Sequence, residues 1–291
     1  MREVHTMKLG AGTYAWSAYG CGLAVAIQEI ASLGIKYVDV LGAGHGEPAN
    51  FTDTQKRDIR KLMDDLGVRT SSVLALYEGN IASGEPEEMT LILDYMKEIL
   101  DFCQILGADQ ILYKPGDKII TLPHEYTWAN SVAFSRTMSD LARHYNVFIT
   151  FELVPRPFAL VQTIADVNRM LDDVGRDNVL TNLDLGHIAL TRDGVDDIAT
   201  VARRTIHLHL NDNDTYVHTN DVVGTGDVPL EDYIRALVAH GAEDTCRELG
   251  VELVAGIEIE VEEKDKGTLT PLTITRQSRD YILEHLEHIT L

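Results

Sequence analysis

The sequence predicts an α/β protein folded as a closed (β/α)8 barrel, with residues 1–291 as one domain. Three observations predict it. A local grammar recurs in which an amphipathic helix ends in glycine and an apolar strand starts at once, as in "IASLGIKYVDVLG", "CQILGADQILYKPG" and "RELGVELVAGIEIE". Helical segments separate every pair of strands, which demands parallel strands and crossovers. Eight such units in 291 residues give about 36 residues each, an ordinary size for this barrel.

The elements follow in order. The strands are short and rich in Val and Ile, and are read at Lys8–Tyr14, Lys36–Leu41, Thr70–Ala75, Gln110–Lys114, Val147–Leu153, Val179–Asp184, Thr205–Leu210 and Leu253–Glu260. Between them the helices carry apolar residues at helical spacing. Leu23, Ile27, Ile30 and Ala31 share one face, as do Ile59, Leu62, Met63 and Leu66, and Leu91, Tyr95, Ile99, Phe102 and Leu106. Gly34, Gly67, Gly107, Gly175 and Gly250 stand where a helix ends and the chain turns through positive φ. A doubly wound open sheet is the alternative. "GAGTYAW" lacks the G-x-G-x-x-G spacing that such a sheet would use, and no helix is expected directly after it.

The composition limits the partners. There are 46 acidic against 25 basic residues, a formal charge of −21, and no basic patch. Such a surface repels polyphosphates, so no nucleic-acid partner is expected. Cys21, Cys103 and Cys246 have no metal-motif spacing and read as free thiols of a reducing compartment. No run approaches the roughly 18 apolar residues of a membrane helix, and "MREVHTMKLGAGTY" lacks the core of a signal peptide. A cytoplasmic location without membrane contact is expected.

In a barrel, functional residues sit at the carboxyl ends of strands. There the fifth strand brings Glu152, the sixth Asp184 and then His187, the seventh His207 and His209, and the eighth Glu258 and Glu260. Each has a plain reading. Glu152 could pair with Arg156, Asp184 could cap the turn at Gly186, and His207, a layer deeper, reads as a neutral, hydrogen-bonded interior residue. Acids and imidazoles on four adjacent strand ends together suit a divalent cation, with Mn2+ first and Co2+, Mg2+ or Zn2+ as alternatives. Period two places Glu258 and Glu260 on one face, so spacing alone leaves open which of them joins the group.

These residues give a resemblance that covers nearly the whole chain. "FELVPRP", "NLDLGH", "HLND", "VVGTGDVPLEDY" and "IEIEVE" resemble the motifs of the sugar isomerase/epimerase (xylose-isomerase-like) TIM barrels. That group includes ketose 3-epimerases, hydroxypyruvate isomerase, inosose dehydratases, C-glycoside deglycosidase catalytic subunits and, more distantly, metal-dependent apurinic endonucleases. The resemblance implies metal ligation by Glu152, Asp184, His209 and a strand-eight glutamate. Glu258 is favoured by the ungapped match of "GVELVAGIE", and Glu260 is the alternative. It implies that the two glutamates are also the proton-transfer bases, that His187 contacts substrate and steadies a developing oxyanion, and that Arg156 matches an arginine after the first glutamate. Homo-oligomers are common in the group, and some members need a small second subunit.

Two positions depart from the ketose 3-epimerases. Phe158 stands where they carry a second acid, and "NDNDTYVH" lacks their arginine after the strand-seven histidine. In the first-strand loop, Tyr14, Trp16 and Tyr19 either stack on a sugar or close the barrel top. Lys114 either reaches a substrate oxygen or pairs with Asp117 or Glu152, and His45 in "LGAGHGEP" is assigned to substrate, with an extra metal ligand or no role as the alternatives. The expected reaction is abstraction of a proton α to a carbonyl, giving isomerisation or epimerisation through a metal-bound enediolate. The alternative is a lyase, a dehydratase or C-glycoside deglycosidase, that expels a β-substituent from a 3-keto sugar or glycoside. A non-enzymatic or endonuclease-like barrel ranks third.

Overall fold

Parallel strands need crossovers, and the chain supplies one after every strand. The structure, a computed structural model, describes residues 7–260 and 269–291. Eight strands close the barrel: β1 (Met7–Gly12), β2 (Tyr37–Leu41), β3 (Arg69–Leu74), β4 (Gln110–Tyr113), β5 (Phe148–Phe151), β6 (Val179–Asp184), β7 (Thr205–Leu210) and β8 (Val254–Ile257). Each pairs in parallel with the next, and β1 pairs with both β2 and β8. A two-residue strand that the sequence reading lacks, β9 (Ile289–Thr290), lies beside Met7 and Lys8. The first six residues, and Val261 and Glu262 of the closing motif, lie outside the described residues.

Around the sheet run α1 (Tyr14–Ala18), α2 (Leu23–Ser32), α3 (Asp53–Leu66), α4 (Pro86–Leu106), α5 (His124–Tyr145), α6 (Ile164–Val174), α7 (Leu185–Thr191), α8 (Val195–Val201), α9 (Leu230–Ala239), α10 (Ala242–Leu249) and α11 (Pro271–His285). The five predicted stop glycines all have positive φ, between 60° and 79°. Thr52 and Gln55 start α3 with a reciprocal capping box. No helix of the described residues is long and apolar enough to cross a membrane. The three cysteines are free.

Three expectations are corrected. β1 ends at Gly12, because Thr13 turns its backbone N–H to the Asp39 carbonyl and Tyr14 begins α1. β8 ends at Ile257, although the Glu258 N–H still bonds the Leu210 carbonyl at 2.9 Å and so stays in register with β7. Leu91 and Leu66 are exposed. On α4 the inward stripe runs through Ile92, Met96, Ile99, Cys103 and Leu106, which leaves Leu91 a helical step off it. Leu66 is the last residue of α3.

The main core lies between helices and sheet. The barrel interior is different. Its lining includes Asp39 and Leu41 on β2, Ser72 and Leu74 on β3, Asn182 and Asp184 on β6, and His207 and His209 on β7, each pair at period two. A polar interior this dense is unusual where branched apolar residues normally fill the space. Its members must therefore compensate one another.

Phe102 is fully buried on α4 and stacks on Phe51, whereas Ile120 is 82% exposed. Phe102→Ala is expected to cost about 3–5 kcal/mol in urea unfolding, and Ile120→Ala less than about 0.5 kcal/mol.

Candidate metal centre

Four residues converge at the carboxyl end of the barrel. Glu152 directly follows β5, Asp184 ends β6, His209 lies on β7 and Glu258 directly follows β8. One ligand atom from each lies within 4.8 Å of the others. His209 Nδ1 is 3.0 Å from Glu152 Oε1 and 2.8 Å from Glu258 Oε2. Asn182 donates to Glu152 Oε1 at 2.6 Å, and its amide nitrogen lies 3.3 Å from His209 Nδ1.

Asp184 has two duties. Its Oδ1 accepts the His187 backbone N–H at 2.8 Å and caps α7, which is the plain reading of this residue realised one position on from the expected turn. Its Oδ2 accepts from Asn211 Nδ2 at 2.7 Å. Asn211 fits there because a side chain at Gly186 would meet its Oδ1 at 1.9 Å.

The electrostatics are those of a site built for positive charge. Burial raises the Asp184 carboxyl, and Glu258 raises it further. Burial alone would lower the His209 imidazole, but Glu258 and Glu152 raise it well above its ordinary value. Among the described residues no Lys or Arg pairs with Glu152, Asp184 or Glu258. Glu258 Oε2 is buried and makes no aligned hydrogen bond, despite its closeness to His209. Three oxygen donors and one imidazole, with an orphaned carboxylate oxygen among them, fit a hard or borderline divalent cation. Glu260 lines the cavity at its exposed rim and is not in the quartet.

A cavity of about 580 Å³ opens over the quartet. Its charged wall carries Glu152, Arg156, His187, His218, Glu258 and Glu260; its apolar wall carries Leu41, Leu74, Ala75 and Leu76, with Tyr14 and Tyr77 alongside. Tyr14 stands edge-on to His209, with ring centroids 6.0 Å apart. Lys114 lines the cavity and pairs with Asp117 at 2.6 Å. Arg156 faces the cavity and does not pair with Glu152.

Two expected substrate contacts are corrected. Trp16 is fully buried and its indole donates to Glu29 on α2 at 2.6 Å, because the α1 turn points it into the helix layer. His45 sits on the 3-10 turn Gly44–Gly46, bonds the Cys21 carbonyl at 2.8 Å and does not line the cavity. His218 was not singled out in the sequence. Its Nε2 lies 2.7 Å from His187 Nε2. His187 Nδ1 donates to the Leu153 carbonyl at 2.9 Å, so in the neutral ring Nε2 accepts and His218 donates. Burial and the neighbouring His187 push His218 down to about 4. No spacing signal marks His218, which lies in the long loop after β7.

Residues 27–282 match the pattern of the xylose isomerase-like TIM barrels. The chain belongs to that family. An inosose isomerase of Bacillus licheniformis is 25% identical over 160 residues, which are 53% of this chain and 58% of that protein. The chain thus spans little more than half the length of this curated relative. A structure described as the IOLI protein with a bound zinc atom superposes with a TM-score of 0.81 at 19% identity, covering 98% of this chain and all of the other. An L-ribulose 3-epimerase superposes with a TM-score of 0.77 at 17% identity, over 96% of this chain and 94% of its own. Both structural likenesses concern the fold.

One layer below the quartet, His207 Nε2 lies 3.1 Å from Asp39 Oδ1. Burial alone would raise the Asp39 carboxyl, but His207 and His209 outweigh it and hold the group at about 2, below its usual 3.8. A depressed carboxyl stabilises the fold above its unfolded-state value and loses that contribution as pH falls. Asp39 is therefore expected to contribute a loss of about 2 kcal/mol of unfolding free energy between roughly pH 4 and pH 2, and Asp39→Asn to remove that part of the acid slope. Calorimetric zinc titration is expected to separate the strand-eight acids. Glu258→Gln should weaken binding by more than about 100-fold, Glu260→Gln by less than about tenfold.

Proposed function

We propose that residues 1–291 form one catalytic domain, a divalent-metal-dependent isomerase or epimerase of a sugar or related polyol ketone. The observation that carries this reading is the pair Glu152 and Glu258. They come from strand ends on opposite sides of His209, both within 3.0 Å of its Nδ1, and both face the cavity. Glu152, Asp184, His209 and Glu258 would hold the cation. A bound divalent ion would act as a Lewis acid that polarises a substrate carbonyl.

The chain's own residues do the rest. One glutamate takes the proton α to the carbonyl, and the polar wall of the cavity stabilises the charge of the enediolate that results. His187, its Nδ1 donating to the Leu153 carbonyl, steadies the developing oxyanion at the cavity wall when its Nε2 carries a proton and turns from His218 to the substrate. The other glutamate returns the proton. Return to the opposite face of the same carbon is epimerisation, and return to the neighbouring carbon is isomerisation. Arg156 and Lys114 reach the cavity rim, where they can bind hydroxyls.

A second reading is favoured by the shape of the site. The cavity of about 580 Å³ exceeds a free hexose and carries an apolar wall away from the acids. That wall suits the aglycone of a 3-keto glycoside, and loss of a β-substituent from the same enediolate would make the chain a lyase. The two reactions share the first step and differ in product mass.

The test is turnover in deuterium oxide with an inosose, D-psicose and a 3-keto-glucoside as probes. Chelator is added, followed by Mn2+ or Zn2+. The expected result is metal-restored activity with deuterium at the α carbon, reduced about 10²- to 10⁴-fold by Glu152→Gln or Glu258→Gln. Product that keeps every atom of the substrate apart from the exchanged hydrogen supports the isomerase, and loss of a fragment supports the lyase. Isomerised product without deuterium would overturn the isomerase, and turnover indifferent to metal would overturn both.

A further inference from the structure

The loop between β7 and α9 carries a buried amide that neither the fold nor the proposed reaction uses. Asn220 is 3% exposed and lines the cavity. Its Oδ1 is buried with no hydrogen-bond partner, and among the described residues its Nδ2 makes no hydrogen bond either. The other buried asparagines of the described residues are all engaged. Asn178 bonds Ser139, Asn182 bonds Glu152, Asn211 bonds Asp184, and Asn213 bonds the Gly186 carbonyl and the Thr215 N–H. Whichever way round the Asn220 amide stands, it leaves a donor and an acceptor without a protein partner. Buried polar groups are as a rule hydrogen-bonded, so this pair points to a ligand.

The backbone, by contrast, is held on two sides. The Asn220 carbonyl accepts the N–H of Glu260, two residues on from Glu258, at 3.0 Å. The Asp221 N–H donates to the Asp212 carbonyl at 2.9 Å, and the Asp212 N–H to the Asp221 carbonyl at 3.1 Å. Asp212 then clamps the rest of the loop. Its Oδ2 accepts the Gly224 N–H at 2.9 Å and its Oδ1 the Val228 N–H at 3.1 Å. A Cβ at Gly226 would stand 2.5 Å from that Oδ1, which explains the second glycine of "VVGTGDVPLEDY". Thr219 turns its hydroxyl to Asp221 at 2.6 Å, while His218 and Asn220 on either side of it line the cavity. A fixed backbone with an unengaged side chain is a preorganised binding group, because little freedom is lost when a ligand arrives.

We propose that Asn220 is a substrate-binding residue whose side-chain amide takes two adjacent hydroxyls of a polyhydroxylated ketone, one donating to Oδ1 and its neighbour accepting from Nδ2. The inference rests on the reading that the cavity holds a sugar or polyol ketone. An ionised phosphate or carboxylate offers acceptors alone and would satisfy only the donor end of the amide. It would also share the cavity wall with Glu258 and Glu260, which repel it. A vicinal diol satisfies both ends and carries no charge.

The test measures steady-state kinetics of the metal-loaded full chain on an inosose, D-psicose and a 3-keto-glucoside, and on monodeoxy analogues of each probe turned over. Asn220→Ala is compared with wild type. The expected result is a fall in kcat/KM of about 10- to 100-fold, carried by KM, with kcat within about threefold. Wild type should disfavour at least one monodeoxy analogue by more than about tenfold, and Asn220→Ala should lose that preference. For a probe that binds without turnover, stabilisation against heat gives the affinity, and the same ratios are expected. The unliganded variant should melt within about 2 °C of wild type or above it, because the fold does not use the amide. Unchanged affinity and kcat/KM overturn the role of Asn220, and so does a set of deoxy preferences identical to that of wild type. A variant that melts well below wild type, or does not fold, shows a structural amide and also overturns it. A wild type that neither turns over nor is stabilised by any probe overturns the sugar reading itself, and this proposal with it.

Discussion

Three carboxylates packed around one imidazole at the mouth of a barrel set the terms for the rest of this molecule. Glu152, Asp184 and Glu258 lie close enough to share a point in space, and no Lys or Arg of the described residues pairs with them. Buried charge of one sign is costly unless it is neutralised or hydrogen-bonded. The structure meets that cost by local means. Asn182 holds Glu152, the first turn of α7 and Asn211 hold Asp184, and His209 sits between the two glutamates. Each holder stands on a strand or directly after one, where backbone pairing fixes it. The Glu258 N–H remains tied to the Leu210 carbonyl, so an acid beyond the end of β8 is as firmly placed as one within it.

The same constraint reaches the residues that are not acids. Gly186 and Gly256 stand where a side chain would collide with Asn211 and Asp39 respectively. Layering then divides the interior. The upper layer faces the cavity and can act on substrate, while the lower layer of Asp39, Ser71, Ser72 and His207 is sealed from solvent. The cavity is likewise divided, with acids and imidazoles on the β5–β8 side and leucines on the β2–β3 side. A site arranged this way can hold the reacting carbons against one wall and leave the other to decide which substrates enter.

Much of this was legible in the sequence, and the reasons are physical. β6 and β7 were read to the residue, because buried strands with polar residues at period two carry a signal on every position. Glu152, Asp184 and His209 followed, since period two and strand ends are sequence properties, whereas spacing left Glu258 and Glu260 open and the family resemblance favoured Glu258. What failed lies where the chain leaves the sheet. Thr13 and Tyr14 read as more strand, but the Thr13 N–H goes to the Asp39 carbonyl, and the α1 turn buries Trp16 against Glu29. His45 and His218 sit in irregular segments with no period to place them. Only His218 folds back over the site, through its contact with His187. Asp39 did carry a signal, a carboxylate in the middle of "YVDVL", a run that is otherwise apolar but for Tyr37. Its partners on β3 and β7 appear only once the barrel closes.

The central claim is that the quartet is a cation site and not a cluster of shared protons. The most direct measurement is a crystal structure of the chain soaked in Mn2+, with anomalous difference density collected at the manganese edge. A single peak bonded to Glu152, Asp184, His209 Nδ1 and Glu258, at about 2.0–2.3 Å from each, is the result this account predicts. Density elsewhere on the chain, with the four side chains still bonded only to one another, would contradict it.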